Sequence, residues 1–129
     1  MLLIVEHTIE NDLLICTIES VGAEIRSLKN KKTGKEYIWQ IDPSVWGNSS
    51  PVLFPAIGKI KEDKIVFKAK SYPMSKHGII RNNDQLTFQQ DGPNACSFEL
   101  IHSVETLKQY PFQFSFKVKY NLIDNRLIM

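Results

Sequence analysis

Between Pro51 and Asn82 the sequence reads PVLFPAIGKIKEDKIVFKAKSYPMSKHGIIRN, and it gathers the side chains best suited to chemistry on a hydroxylated ligand. A Gly58-Lys59 step comes first. His77 and Gly78 follow, with Lys76 just before them and Arg81 four positions after His77. Histidine titrates near neutrality, so it can donate or accept a hydrogen bond and can carry a proton during catalysis. A glycine beside it lets the backbone turn tightly and a ligand come close. The planar fork of Arg81 suits vicinal oxygens or a phosphate. A lone histidine on a loop is more often just exposed or satisfied, so these residues by themselves leave the function open.

The other candidates are weaker. His7, in an N-terminal strand, and His102, at the end of an apolar strand face, read as structural. Trp39 and Trp46 flank the segment 40–45 and could serve as platforms for the apolar faces of sugar rings. Core packing is the simpler reading for Trp39, with a partner needed for its indole N–H if it is buried. No His, Cys, Asp and Glu set has metal-ligand spacing, so no metal site is expected. There is no GxGxxG, P-loop or GxSxG motif.

These residues need a scaffold, and 129 residues suffice for one domain with a real core. With 43% hydrophobic and 23% charged residues the chain has a globular composition. Sixteen basic and 14 acidic residues leave a net charge of +2, too balanced to call for nucleic acid or an anionic membrane as partner. The densest basic run, Lys29 to Lys32, is expected to be a solvated turn rather than a phosphate site. No stretch approaches the ~18 apolar residues of a membrane span. Residues 1–5 are apolar without the flanks of a signal peptide, and read as a first strand. Cys16 and Cys96 alternate with apolar neighbours and read as small buried hydrophobes, with a disulfide conceivable only if their strands adjoin. Nothing demands an oxidising compartment, so the cytoplasm is the expected location.

Period-two alternation dominates the pattern. Phe112, Phe114, Phe116, Val118, Tyr120 and Leu122 fall on one face of a long strand, with Gln113, Ser115, Lys117, Lys119 and Asn121 on the other. Shorter strands are predicted over 13–19, 23–28, 64–69, 85–90 and 95–102, separated by polar turn residues at 10–12, 32–35, 91–94 and 124–125. A turn or two of helix fits 104–110, stopped by Pro111. Residues 126–129 resemble the start of a return strand. This is the pattern of an all-β sandwich or barrel-like sheet.

Several words of the sequence, taken in order, resemble the aldose 1-epimerase (galactose mutarotase-like) family, in its bacterial LacX-type branch. They are Gly22-Ala23-Glu24-Ile25-Arg26-Ser27-Leu28, then Lys32-Thr33-Gly34-Lys35-Glu36-Tyr37-Ile38-Trp39-Gln40 and Trp46. Pro51-Val52-Leu53-Phe54-Pro55 with Gly58 follows, then Tyr72-Pro73-Met74 with His77-Gly78, and Glu105-Thr106-Leu107-Lys108 with Tyr110-Pro111-Phe112. The resemblance implies an antiparallel β-sandwich of the galactose mutarotase-like type, of which residues 1–129 correspond to roughly the N-terminal half, as one domain cut short by a gene disruption or by design.

It also implies a reaction. The family interconverts α and β anomers of a free hexose. A general acid protonates the ring oxygen, a general base takes the anomeric hydroxyl proton, and the opened ring recloses on its other face; no cofactor or metal is implied. By resemblance His77 is the histidine that binds and orients the sugar. Arg81 follows it at the branch's spacing, and Lys59 stands where arginine is usual, keeping the charge without the bidentate fork. The family's acid histidine in a His-Pro motif and its base glutamate have no counterpart among the 129 residues, and His102 is not followed by proline. The expected catalytic set in this chain is therefore none. His77, Arg81 and Lys59 are the expected sugar-binding residues, with a small hexose or hexose phosphate as ligand and little or no catalysis. The alternative is a non-catalytic carbohydrate-binding or oligomerising β-module, forming a homo-oligomer through an exposed sheet edge.

Overall fold

The computed structural model describes residues 3–129, and the alternation read in the sequence forms two packed antiparallel sheets. The first sheet holds β1 (Glu6–Glu10), β2 (Leu14–Glu19) and β3 (Glu24–Asn30) in that order. A hairpin of β4 (Lys64–Phe67) and β5 (Lys70–Pro73) stands apart as a two-stranded unit. The second sheet runs β6 (Thr87–Gln90), β7 (Ala95–Ile101), β8 (Ser115–Ile123) and β9 (Arg126–Ile128). One short helix, α1 (Val104–Gln109), joins β7 to β8. No helix among the described residues is long and apolar enough to cross a membrane.

Register explains which side chains meet. In β7–β8 Cys96 lies opposite Tyr120, Phe98 opposite Val118 and Leu100 opposite Phe116, so one face of the second sheet is continuously apolar. Ile9, Cys16, Ile18 and Ile25 of the first sheet bury against Phe98, Val118, Tyr120 and Leu122 of the second. Each large side chain fully removed from water there contributes roughly 1.5–3 kcal/mol. A polar tie crosses this core: Tyr120 Oη donates to the Ala23 carbonyl at 2.7 Å, fixing the turn before β3 to the opposite sheet. Burial pushes the Tyr120 phenol up from its ordinary value of 10.0, so it stays a donor.

Cys16 and Cys96 are free and buried, as their alternation indicates, but they lie on strands of different sheets. Burial pushes the Cys16 thiol up to about 12 and the Cys96 thiol up to about 11. Of the run Lys29 to Lys32, Lys29 and Asn30 end β3 and the turn begins at Lys31, with Asn30 Oδ1 accepting from the backbone N–H groups of Lys32 and Thr33.

Some elements differ from the pattern. The first strand begins at Glu6. Leu3, Ile4 and Val5 lie outside it and are exposed, because the partner strand β2 ends opposite Glu6; residues 1 and 2 lie outside the described part. The strand predicted over 64–69 ends at Phe67, where Lys68 and Ala69 take left-handed backbone angles and return the chain into β5. The long strand predicted from Phe112 begins only at Ser115, since α1 and the loop after it occupy 104–114. Trp39 is not in the core. It is 45% exposed and Trp46 46%, because 39–48 forms an irregular surface loop in which Trp39 Nε1 donates to the Trp46 carbonyl.

Candidate functional site

Two loops meet where the chemistry-bearing residues lie, and backbone pairing brings them together. Phe54 and Gly78 form an isolated parallel bridge, and the Ile79 N–H donates to the Phe54 carbonyl at 2.7 Å. Val52 and Ile80, flanking this bridge, bury with Leu100 of β7, and Phe54 packs among Tyr110, Phe114 and Phe116. The apolar residues of the Pro51 block thus anchor both loops on the second sheet. Gly78 has φ +84°, and a Cβ there would lie 1.9 Å from the Phe54 carbonyl oxygen, so only glycine allows the approach.

This packing places His77 against the Gly58-Lys59 loop. The His77 N–H donates to the Gly58 carbonyl at 3.1 Å, and His77 Nδ1 lies 2.5 Å from the Ile57 carbonyl. A carbonyl can only accept, so Nδ1 carries the proton. In the neutral ring Nε2 is then the bare acceptor, suited to a ligand hydroxyl. His77 itself takes φ +74°, an unusual backbone for a non-glycine residue. Lys59 is exposed and pairs with Asp63 at 3.5 Å, a solvent-screened contact that leaves its ammonium free to be shared.

Arg81 lies apart from these two. It lines a cavity of about 590 Å³, to which neither His77 nor Lys59 contributes, formed between the 75–87 segment, the end of β7 and α1. Amides and hydroxyls such as Asn82, Asn83, Gln85, Ser103 and Gln109 share its wall with the apolar Ile79, Leu100 and Ile101. The Ser103 side chain and Thr106 close the first turn of α1 by reciprocal hydrogen bonds, which holds this wall in place. Arg81 Nη2 donates to Asn48 Oδ1 at 2.8 Å.

Asn48 belongs to a buried network that sequence spacing did not reveal. Its Nδ2 donates to Glu24 Oε2 at 3.2 Å, while Glu24 Oε1 accepts from the backbone N–H groups of Ser49 at 2.6 Å and Ser50 at 3.0 Å. Arg26 lies between Glu19 and Glu24, with Nη1 3.2 Å from Glu24 Oε1. A 3% exposed Glu24 thereby fixes the 48–50 loop on β3, and through Asn48 it fixes Arg81. The only local signal for this was the run of short polar residues directly before Pro51. His102, by contrast, is satisfied within the fold: its Nδ1 lies 3.2 Å from the Phe114 carbonyl oxygen and 3.3 Å from the Phe114 backbone nitrogen. His7 stacks on Phe88 at 3.6 Å, and burial lowers its pKa from the ordinary 6.5.

Comparison with known proteins places this arrangement. The family model described as Aldose 1-epimerase matches residues 6–129. A galactose mutarotase related enzyme from Lactobacillus acidophilus superposes with a TM-score of 0.91 at 41% identity, covering 95% of this chain and 41% of that one. A galactose mutarotase-like protein from Lactobacillus casei gives a TM-score of 0.89 at 39% identity, covering 95% and 42%. Protein LacX of Lactococcus lactis is 29% identical over 119 residues, which are 88% of this chain and 39% of that protein. The chain thus spans about two-fifths of the length of the relatives it matches.

Proposed function

The chain belongs to the aldose 1-epimerase family, and on that premise we propose that it is a sugar-gripping portion of an epimerase-type site. It binds a free or phosphorylated hexose and interconverts its anomers weakly or not at all. The observation that carries this is the docking of His77 on the Gly58-Lys59 loop, with Nδ1 tied to the Ile57 carbonyl and Nε2 left as acceptor.

Anomer exchange needs one group to protonate the ring oxygen and another to take the anomeric proton. His77 supplies one positioned nitrogen. Lys59 stands on the adjoining loop and adds positive charge for a sugar hydroxyl or an oxyanion. His102 has its Nδ1 committed to the Phe114 backbone just after β7. A site with one proton-handling group orients a sugar better than it opens one. The free thiols of Cys16 and Cys96 suit a reducing compartment such as the cytoplasm.

The test is an amide chemical-shift titration with galactose and with glucose. Shifts confined to 55–59 and 75–81, lost in His77→Ala, are the expected result. Saturable binding that is unchanged by His77→Ala would remove His77 from the site.

A further inference from the structure

We propose that the surface loop carrying Trp39 and Trp46 is a second binding site, separate from the His77 loops, and that it takes a neutral oligosaccharide by stacking successive sugar rings on the two indoles. The site stands independently of the His77 reading. Its loop is anchored on β3 of the first sheet, whereas the His77 loops are anchored on the second sheet.

Within ten residues Tyr37, Trp39, Val45 and Trp46 are all between 45% and 71% exposed, while Ile38 packs against the core instead. Large apolar side chains gathered on one surface mark an interaction site. Neither indole is called for inside the fold. Trp39 Nε1 donates to the Trp46 carbonyl at 3.1 Å, so its polar tip is satisfied within the loop. Where Phe88, Phe98 and Tyr120 pack ring on ring, neither indole joins an aromatic pair among the described residues.

The loop is nonetheless held still. Gln40 Nε2 donates to the carbonyls of Arg26 at 2.9 Å and Ile38 at 3.2 Å. The Asp42 carbonyl accepts from the N–H groups of Val45 and Trp46, and Asp42 Oδ1 accepts from Ser44. At the far end the Ser49 and Ser50 N–H groups are tied to Glu24. Rings carried on a fixed loop lose little freedom when a ligand settles on them.

Stacking suits the flat C–H face of a pyranose, and the sugar hydroxyls then need acceptors. Gln40 and Ile41 line a cleft of about 310 Å³ whose remaining wall is Glu6, Glu19 and Arg26. Both Gln40 bonds run from its nitrogen, which leaves Oε1 to accept. Glu6 lies directly opposite Glu19 in the β1–β2 register, but Arg26 is committed to Glu19 and Glu24. Glu6 makes no ion pair among the described residues, so its carboxylate is open to a hydroxyl donor, a charge-assisted bond. A floor of carboxylates fits a polyhydroxylated ligand better than a protein, since the centre of a protein interface is depleted in charged residues. Two rings in one loop fit consecutive sugar units rather than a single hexose.

Trp39 and Trp46 are the two tryptophans of the chain, so intrinsic fluorescence reads this loop directly. The full chain is titrated with maltopentaose, cellopentaose and glucose while tryptophan emission is followed. At least one pentasaccharide is expected to change the emission saturably, with a Kd of about 1 mM or tighter and about tenfold or more below that of glucose. His77→Ala should leave this binding within about twofold. Trp46→Ala keeps the backbone carbonyl that holds Trp39, and should weaken binding about tenfold or more. Should Trp46→Ala fail to fold by circular dichroism, Glu6→Ala, at an exposed residue, should weaken binding severalfold. Emission unchanged by both pentasaccharides overturns the second site and leaves the His77 reading standing. Binding that persists unchanged in the folded loop variant overturns it too. Binding lost in His77→Ala assigns the oligosaccharide to the His77 loops and likewise overturns it. Self-association by light scattering that Trp46→Ala abolishes, with no saccharide bound, makes the loop a protein interface and overturns the carbohydrate assignment.

Discussion

Replacing Gly78 by alanine tests whether the close approach of two loops holds the site together. The new Cβ would lie 1.9 Å from the Phe54 oxygen and 2.3 Å from its carbonyl carbon. The Phe54 loop must retreat by about 1.5 Å to restore ordinary contact, which breaks the 2.7 Å hydrogen bond from the Ile79 N–H. Ile79 is buried, so its orphaned N–H costs about 1–3 kcal/mol. The left-handed backbone at φ +84° adds about 1–2 kcal/mol for any residue with a Cβ. Together these give a loss of about 2–5 kcal/mol, a large part of the ~5–15 kcal/mol that holds a domain of this kind. Urea denaturation followed by tryptophan fluorescence should show a midpoint lower by roughly 1–3 M. Gly34→Ala is the internal control: its φ is +71°, but a Cβ there meets nothing within 4 Å. It should lose only the backbone contribution, about 1–2 kcal/mol. If Gly78→Ala proves no more damaging than Gly34→Ala, the argument from loop contact is wrong.

Three further outcomes follow from the core and the surface. Tyr120→Phe deletes the hydroxyl that donates to Ala23 across the core, and should cost about 1–2 kcal/mol in chemical denaturation; an unchanged midpoint would mean the two sheets do not depend on that tie. Cys16 and Cys96, pushed up to about 12 and about 11, should resist alkylation at pH 7.5 until the chain unfolds, and rapid labelling of the native protein would contradict their burial. Burial pushes the Glu36 carboxyl up, but bonds accepted from Ser27 and from the backbone of Leu28, Ile38 and Tyr37 outweigh it and hold the group below its ordinary 4.5. A depressed carboxyl stabilises the fold above its unfolded pKa and loses that contribution as pH falls through the folded value. The stability of the wild type should thus decline below about pH 4.5 more steeply than that of Glu36→Gln, and parallel acid profiles would exclude this role.

Much of the scaffold was legible because period-two alternation is strong wherever one face of a sheet is buried. Phe116, Val118, Tyr120 and Leu122 announced β8, and Cys96, Phe98 and Leu100 announced β7. Alternation failed where burial is not set by a strand. Phe112 and Phe114 continue the period but sit in the loop after α1, packed on Phe67 and Phe54 respectively. Trp39 looks like a core residue by type, yet its loop is held by hydrogen bonds that leave the ring half exposed. The site divides the same way. His77 with Gly78 was visible as a turn able to meet a ligand, and the structure gives that turn its partner in Phe54. The separation of Arg81 from His77 was not visible, because four positions of sequence say nothing about which wall each side chain joins. Nor could the Glu24–Asn48–Arg81 chain be read, since it joins residues 24 to 33 positions apart through amide and carboxylate geometry alone.

We propose that this chain grips a hexose without opening its ring. Exchange spectroscopy by NMR on equilibrated glucose and galactose, with the protein at a concentration where binding is saturable, reads both halves of that claim in one sample. Ligand-dependent shifts around His77 are expected together with α/β exchange at the rate of buffer alone. Anomer exchange accelerated well above that background, and lost in His77→Ala, would contradict it.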